Sequence, residues 1–483
     1  MCAAIGGHPI IATMMVRLAR LNVSAMAAGL LLIGCGGASP AASSPGPSAS
    51  VGGASATAAA PASVSAKPAA SVQASGSSAA AGSPSGQPIK IGISETLTGP
   101  SAISGVDNRD GFNLYLSSIN STVAGRTIQP IFVDDEFKPD VGLTKTKQLV
   151  ESDKVQLLMG YTNTAICYAI APYVKQVQIP LLITGNCGGE KLTTDPAFKS
   201  PYISRFTNTS SLHMDPTADY AAQAGFRKAI IMTSDFAAGI ENSDFFSSTF
   251  IDRGGTIVQE VHPAVGTQDF GPYLAQLDPS ADVLVTFLPG ADGLHFAEQF
   301  ATYAGSRKLQ VFDATGQYTA GPNLAQMKEK AVGFIAENVW TEAYDDPVNA
   351  AFLKAFHDKY PGRTVGQDAA HGYAGAQILA AALEKVGGKV EDKQAFLQAV
   401  YATNVDTPKG VIKLDENHDV VANVYIYQIV KQGADVGPKI LKVYQGISGT
   451  WARPDDQLAH FPYGTLKGKW VGMTKEKLAA LMK

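Results

Sequence analysis

Residues 155–184 read VQLLMGYTNTAICYAIAPYVKQVQIPLLIT. Two apolar runs, VQLLM (155–159) and PLLIT (180–184), flank AICYAIAPYVKQ, whose apolar residues recur at i, i+3 and i+4. Short apolar runs fit buried strands and the spaced segment fits a helix face, so the stretch predicts strand–helix–strand. The same unit recurs on both sides. Upstream, IKIGI (89–93) and IQPIFVDD (128–135) accompany the helical LTKTKQLVESD. Downstream the pattern restarts with KAIIMTS (228–234), GTIVQEV (255–261), DVLVTF (282–287) and LQVFDA (309–314), again with helices between. Such alternation implies α/β architecture with parallel sheets covered on both faces. Two successive strand sets, with lobe-changing stretches near 202–207 and 332–340, predict two doubly wound lobes; a TIM barrel is the competing arrangement. Ligands of open α/β sheets bind beyond the carboxyl ends of the strands. The loops after Ile93, Met159, Thr184, Ser234, Phe287 and Phe312 are therefore the ones expected to build a site.

The N-terminal region carries a different signal. Before Lys90 the only Lys, Arg, Asp or Glu residues are Arg17, Arg20 and Lys67. Arg17 and Arg20 form a positive segment ahead of an apolar run from Ala25 to Ile33, too short for the roughly 20 residues of a spanning helix. The run ends in Leu32-Ile33-Gly34-Cys35, which resembles the lipobox of bacterial lipoproteins. That resemblance implies a leader over 1–34 and acyl chains on Cys35, holding the protein to a membrane outside the cytoplasm. A cleaved secretory signal with a coincidental Cys is the alternative. Residues 36–86 are almost entirely Ala, Ser, Gly and Pro, a composition that cannot offset its ordering entropy by burial. About 50 such residues make a coil with a span of roughly 40 Å, so 35–87 is expected to act as anchor and linker.

A formal charge of −4, from 38 basic and 42 acidic residues, offers no basic stripe and argues against nucleic-acid binding. Four cysteines are present. Cys2 and Cys35 belong to the leader and lipobox, which leaves Cys167 and Cys187 as a disulfide or two buried thiols.

The loops themselves resemble a known family. IKIGISETLTGPSAISG, LLMGYTNTAICYAIAPYVKQVQIPLLITG, SDFAAG, GTQDFGPYLAQL and VTFLPGADGLHFAEQF are similar to type I periplasmic binding proteins of the branched-chain amino-acid ABC transporter group. NAAFLKAFHDKY, the HGYAGAQILAAAL helix and the TPKGVIKLDENHDV hairpin continue the match in family order, over nearly all of 88–430. The resemblance implies two Rossmann-like lobes joined by three hinge crossovers. Lobe 1 would be 88–206 with 341–415, lobe 2 would be 207–340 with 416–440, and 441–483 a C-terminal extension. It also implies a monomer that closes on a small molecule and delivers it to an ABC permease, without cofactor or metal. Tyr161, Asn163, Thr164 and Ala165 match the family's ligand-contacting turn at a helix start, where free N–H groups and the helix dipole suit a carboxylate. Asn186, Cys187 and Gly188 match the loop that completes this cradle. Cys167 lies one loop away, which makes a 167–187 bridge reasonable.

Three positions depart from amino-acid-binding relatives. Ser104 and Ala238 stand where an aromatic is common, just before Gly105 and Gly239. Thr315 stands where an acid neutralises the ligand's ammonium, with Asp313 two residues earlier. An uncompensated ammonium in a closed cleft is costly. The expected ligand is therefore an aromatic or bulky carboxylate, walled by Phe236, Phe287, Tyr318 and Trp340; a branched-chain or other amino acid or amide is the alternative.

Nothing in the sequence forms a nucleophile–base or metal constellation, so no enzyme is expected. Asp134-Asp135-Glu136 reads as a solvated strand end and His371 as a packed or hinge-side histidine. A sensory module of the same fold normally needs a membrane helix, and no apolar stretch of spanning length follows Lys90. WARPDDQ and FPYG read as an ordered wrap on a lobe, followed by a short helix in TKEKLAALMK.

Overall fold

Each apolar run becomes a strand with both faces covered. A computed structural model describes residues 86–303 and 308–482, all within a unit running from Ala79 to Lys483. The expected leader, Cys35 and nearly all of the Ala/Ser/Gly/Pro stretch lie outside the described residues.

The first lobe is a sheet of β1 (Ile89–Glu95), β2 (Thr122–Val123), β3 (Arg126–Asp134), β4 (Leu157–Gly160), β5 (Leu181–Ile183) and β6 (Ile203–Arg205), ordered β2-β3-β1-β4-β5-β6. Between them run α1 (Ala102–Ser118), α2 (Pro139–Glu151), α3 (Thr164–Val177) and the single turn α4 (Lys191–Thr194). The pleat divides the apolar runs between two cores. Ile91, Ile93, Leu157, Met159 and Leu182 pack with Phe112 and Leu116 of α1. Leu158, Leu181 and Ile183 pack with Leu149 of α2 and Ile166, Ile170 and Val174 of α3.

After β6 the chain enters α5 (Ser210–Gln223) and the second lobe. Its parallel strands are β7 (Lys228–Thr233), β8 (Thr256–Val261), β9 (Val283–Phe287), β10 (Gln310–Asp313) and β11 (Ile335–Asn338). The helices between are α6 (Ala237–Asp252), α7 (Gly271–Leu274), α8 (Ala291–Tyr303) and α9 (Gly321–Met327). Numbered within each lobe, the parallel strands of both sheets take the order 2-1-3-4-5, a doubly wound arrangement with a switch point beside the first strand. Both first helices pack a glycine onto the strand before them. A Cβ on Gly105 would come within 2.0 Å of the Thr96 carbonyl oxygen, and one on Gly239 within 1.8 Å of that of Ser234.

The chain returns after β11 to α10 (Pro347–Lys359), α11 (Gln367–Lys385) and α12 (Lys393–Tyr401), with α11 packed along α1. It passes over once more through a hairpin, β12 (Asn404–Thr407) and β13 (Gly410–Leu414), into β14 (Val420–Gln432), which pairs antiparallel with β11. The first and third passages are tied together: buried Arg205 donates to Asp419 at 2.8 Å and to the carbonyls of Cys187 and Gly189.

β15 (Asp435–Ile447) pairs with β14 throughout its length. The extension therefore starts beyond Ile447 and not at 441, because KILKVYQGI continues the ladder. Beyond it, α13 (Asp455–His460) and α14 (Lys475–Leu481) lie on lobe 2. Arg453 pairs with buried Asp215 of α5 at 2.6 Å, and the indole of fully buried Trp470 donates to Asp244 of α6 at 2.7 Å. Tyr463 reaches the other lobe through a hydrogen bond with Thr194.

Candidate functional site

A cleft with about 580 Å³ of space between its atoms, open solvent included, lies beyond the carboxyl ends of the parallel strands. Lobe 1 contributes Ser101 and Ser104 at the start of α1, Phe137 after β3, Thr162 and Thr164 after β4, and Asn186 and Gly188 after β5. Lobe 2 contributes Phe236, Ala238 and Asn242 after β7, Phe287 and Pro289 after β9, and Thr315 and Gln317 after β10. Asn208, Ser210, His213 and Asn338 line it from the passages, and Gln367 and His371 from the first turns of α11. The N-terminal ends of α1, α3, α5, α6 and α11 thus converge on one space, which biases it toward an anion. Among the described lining residues there is no Asp, Glu, Lys or Arg.

Phe236 and Phe287 stack at 5.9 Å with their planes 17° apart, and Phe137 of the opposite lobe meets Phe236 at 6.0 Å. The lobes also meet where Tyr168 donates to Glu241 at 2.5 Å. Several buried polar atoms at the cleft have no partner: Thr164 Oγ1, Asn208 Oδ1 and both ring nitrogens of His371. Such atoms carry a desolvation cost until something bonds them.

Charge sits just behind the lining. Burial pushes the Asp368 carboxyl up to about 6, against hydrogen bonds from Ser104 and Asn186. Burial also raises Glu337, which His213 engages at 2.7 Å. Glu95, raised well above the usual range by burial and by Asp135, accepts from Thr162 at 3.0 Å. Lys409, in the β12–β13 turn, is lowered to about 7 by burial and donates to the Phe206 carbonyl at 2.9 Å. Asp313 faces none of the space: its carboxylate accepts from the backbone of Gln317, Tyr318 and Thr319 and from the Thr319 hydroxyl.

Of the residues expected from sequence, Ser104, Thr164, Asn186, Gly188, Phe236, Ala238, Phe287 and Thr315 line the cleft. Thr315 does so with φ of +67°, a strained backbone for a β-branched residue. The others do not, for identifiable reasons. Tyr161 has φ of +68° and its ring lies in the lobe 1 core, the hydroxyl bonded to Thr146 at 2.8 Å. Asn163 caps α3 by accepting from the Ala165 N–H at 2.9 Å, which takes that amide away from a ligand. Cys187 is buried and joined to Cys167 by a disulfide. Tyr318 packs with Phe296 and Phe334 and bonds Thr286, while Trp340 packs edge-on against Phe352 and donates to Asn349 at 2.9 Å.

One reading of a charged residue is also corrected. Asp135 is not solvated but buried, accepting from Ser94 and Thr96. His371 is packed, as its apolar helix suggested, yet it also borders the cleft. Phe137, His213, Asn208 and Gln367 were missed. The strand-end rule could have found Phe137, which follows β3, but its loop was passed over as a solvated acidic run.

The strand order, the repeated passages and a cleft shut between two lobes define a two-lobed protein that captures small solutes. A profile described as periplasmic binding protein matches residues 88–434, and this chain belongs to that family, among ABC-transporter substrate-binding proteins. Leu/Ile/Val-binding protein homolog 6 of Brucella melitensis biotype 1 is 26% identical over 345 residues, covering 69% of this chain and 85% of its own. An ABC transporter substrate-binding protein from Sphaerobacter thermophilus matches with TM-score 0.70 at 30% identity, over 74% of this chain and 98% of that one. A solute-binding protein from Rhodopseudomonas palustris BisB5, solved with 3,4-dihydroxybenzoic acid, matches with TM-score 0.70 at 28% identity, over 75% of this chain and 98% of that one.

Proposed function

We propose that this chain captures a small aromatic or similarly bulky carboxylate outside the cytoplasm and passes it unchanged to an ABC permease. The observation that carries the reading is the lining: stacked Phe236 and Phe287, with no carboxylate among the described lining residues to receive an ammonium. The ring would lie against these phenyl groups, and the carboxylate against the lobe 1 wall, where Thr164 and His371 leave polar atoms unpaired. The dihydroxybenzoate bound by the Rhodopseudomonas neighbour is a ligand of this kind. A branched-chain amino acid is the second reading, favoured by the name of the Brucella relative. It requires an acid at Thr315 or a free Asp313, and Asp313 is fully engaged by backbone N–H groups.

The surrounding arrangement belongs to the same proposal. Cys35 is the lipidated anchor after a leader of 1–34, the Ala/Ser/Gly/Pro stretch is the leash, and the protein works as a monomer. Lobe 1 takes 88–206 and 341–415, and lobe 2 takes 207–340 and 416–447. Melting the purified chain with benzoate, hydroxybenzoates, Leu, Ile and Val tests the ligand class. A rise in Tm with the aromatic acids, and recovery of each acid chemically unchanged, is expected. Stabilisation by the amino acids alone would reject it.

A further inference from the structure

We propose that His371 grips the ligand's carboxylate, and that a proton enters the cleft with the anion. This deepens the ligand reading above and rests on it. His371 borders the cleft at 2% exposure, and neither ring nitrogen has a hydrogen-bond partner. A buried imidazole left unbonded on both sides is a standing cost that an arriving acceptor removes.

The groups facing His371 come from several elements. On its own helix, Asp368 Oδ1 lies 3.7 Å from His371 Nδ1, too long for a hydrogen bond but close enough to favour a cation. Lys409 of the β12–β13 turn and His213 of α5 act on it electrostatically, and both disfavour its protonated form. Glu337 of β11 is taken up by His213, and Glu95 lies beyond Asp368. In the empty cleft, burial, then Lys409 and His213, hold the His371 imidazole well below its ordinary range, so the ring is neutral. A carboxylate placed on the ring adds the negative charge that offsets those neighbours. The ring then takes up a proton and donates to the ligand, with the Asp368 carboxylate close enough on its other side to favour the cation. Because the complex holds a proton that the empty protein lacks, affinity rises as pH falls. The slope is at most about tenfold per pH unit between the bound and empty pKa of His371. Thr164 and Asn208 also offer unpaired atoms, but neither titrates.

The test is calorimetric titration of the full chain with benzoate and with 4-hydroxybenzoate from pH 5.5 to 8, in buffers of different ionisation enthalpy. Wild type, H371Q and K409M are compared, with melting curves to show that each is folded. Wild type is expected to bind benzoate more tightly at lower pH with net proton uptake. H371Q is expected to bind benzoate at least about tenfold more weakly and to lose both slope and uptake, while K409M keeps them with the slope moved to higher pH. The proposal is overturned if H371Q matches wild type, if the slope disappears only in K409M, or if H371Q weakens 4-hydroxybenzoate alone. Absence of proton uptake by wild type overturns it even if H371Q does not fold. If wild type binds no aromatic acid, the ligand class itself fails and the His371 contact falls with it; benzoate binding that ignores H371Q rejects only the contact.

Discussion

Phe236 is the side chain on which the ligand class turns at the residue scale. It stacks on Phe287 from its own lobe and meets Phe137 across the cleft, so its ring belongs to both walls. F236A is expected to weaken aromatic-acid binding by about 2 kcal/mol, roughly thirtyfold, measured by titration calorimetry. Unchanged affinity would remove the ring from the site. Asp368 gives a second prediction. With its carboxyl pushed up to about 6 by burial, against about 3.9 in the unfolded chain, the folded protein keeps a proton that the unfolded one releases between these values. This group's contribution to stability is therefore greatest below about pH 4 and is lost as pH rises to about 6. Urea unfolding of D368N should show a flatter profile across that window, differing from wild type by on the order of 2–3 kcal/mol. An identical profile would contradict the burial argument. Phe236 and Phe287 were legible in the sequence because each ends or follows a strand, where the topology places ligands. Tyr161, Tyr318 and Trp340 were not, because their direction is set by a left-handed backbone or by core partners distant in sequence.

Among the elements, the segment after β15 has the clearest structural consequence. Its Arg453 guanidinium is held by Asp215, Ser248 and Thr249, all on α5 and α6, and lies 5.4 Å from the Phe245 ring. Removing the cation leaves the Asp215 carboxylate buried without its partner. R453M is expected to lower stability by about 3–5 kcal/mol in urea unfolding. A change below about 1 kcal/mol would mean that the segment is dispensable. Composition made an ordered wrap visible in WARPDDQ and FPYG, but not its seat, since the residues that hold the Arg453 guanidinium lie some two hundred residues away. Apart from β6 and β11, read as lobe-changing stretches, the β-α alternation was readable for the opposite reason: each strand and its helix are neighbours in sequence and carry their own periodicity. The end of β15 escaped because antiparallel pairing with β14 is a tertiary fact.

For the whole molecule, two like-ordered sheets joined by repeated passages make a hinge, and hinge closure around a ligand is a motion such a joint allows. Phe137 with Phe236 and Tyr168 with Glu241 are contacts that span the lobes. The sequence made this architecture legible, together with the cleft loops that follow β1, β4, β5, β7, β9 and β10, but not the loop after β3. It left the ligand's charge partner unread, because His371 sits inside an apolar helix whose pattern speaks only of packing. The central claim is that the cleft selects an aromatic carboxylate over an amino acid. Its most direct test is competition calorimetry on the full chain, titrating 4-hydroxybenzoate and leucine separately and then one against the other. Saturable one-to-one binding of the aromatic acid, undisturbed by excess leucine, is the result expected. Leucine binding tightly and displacing the aromatic acid would contradict the claim.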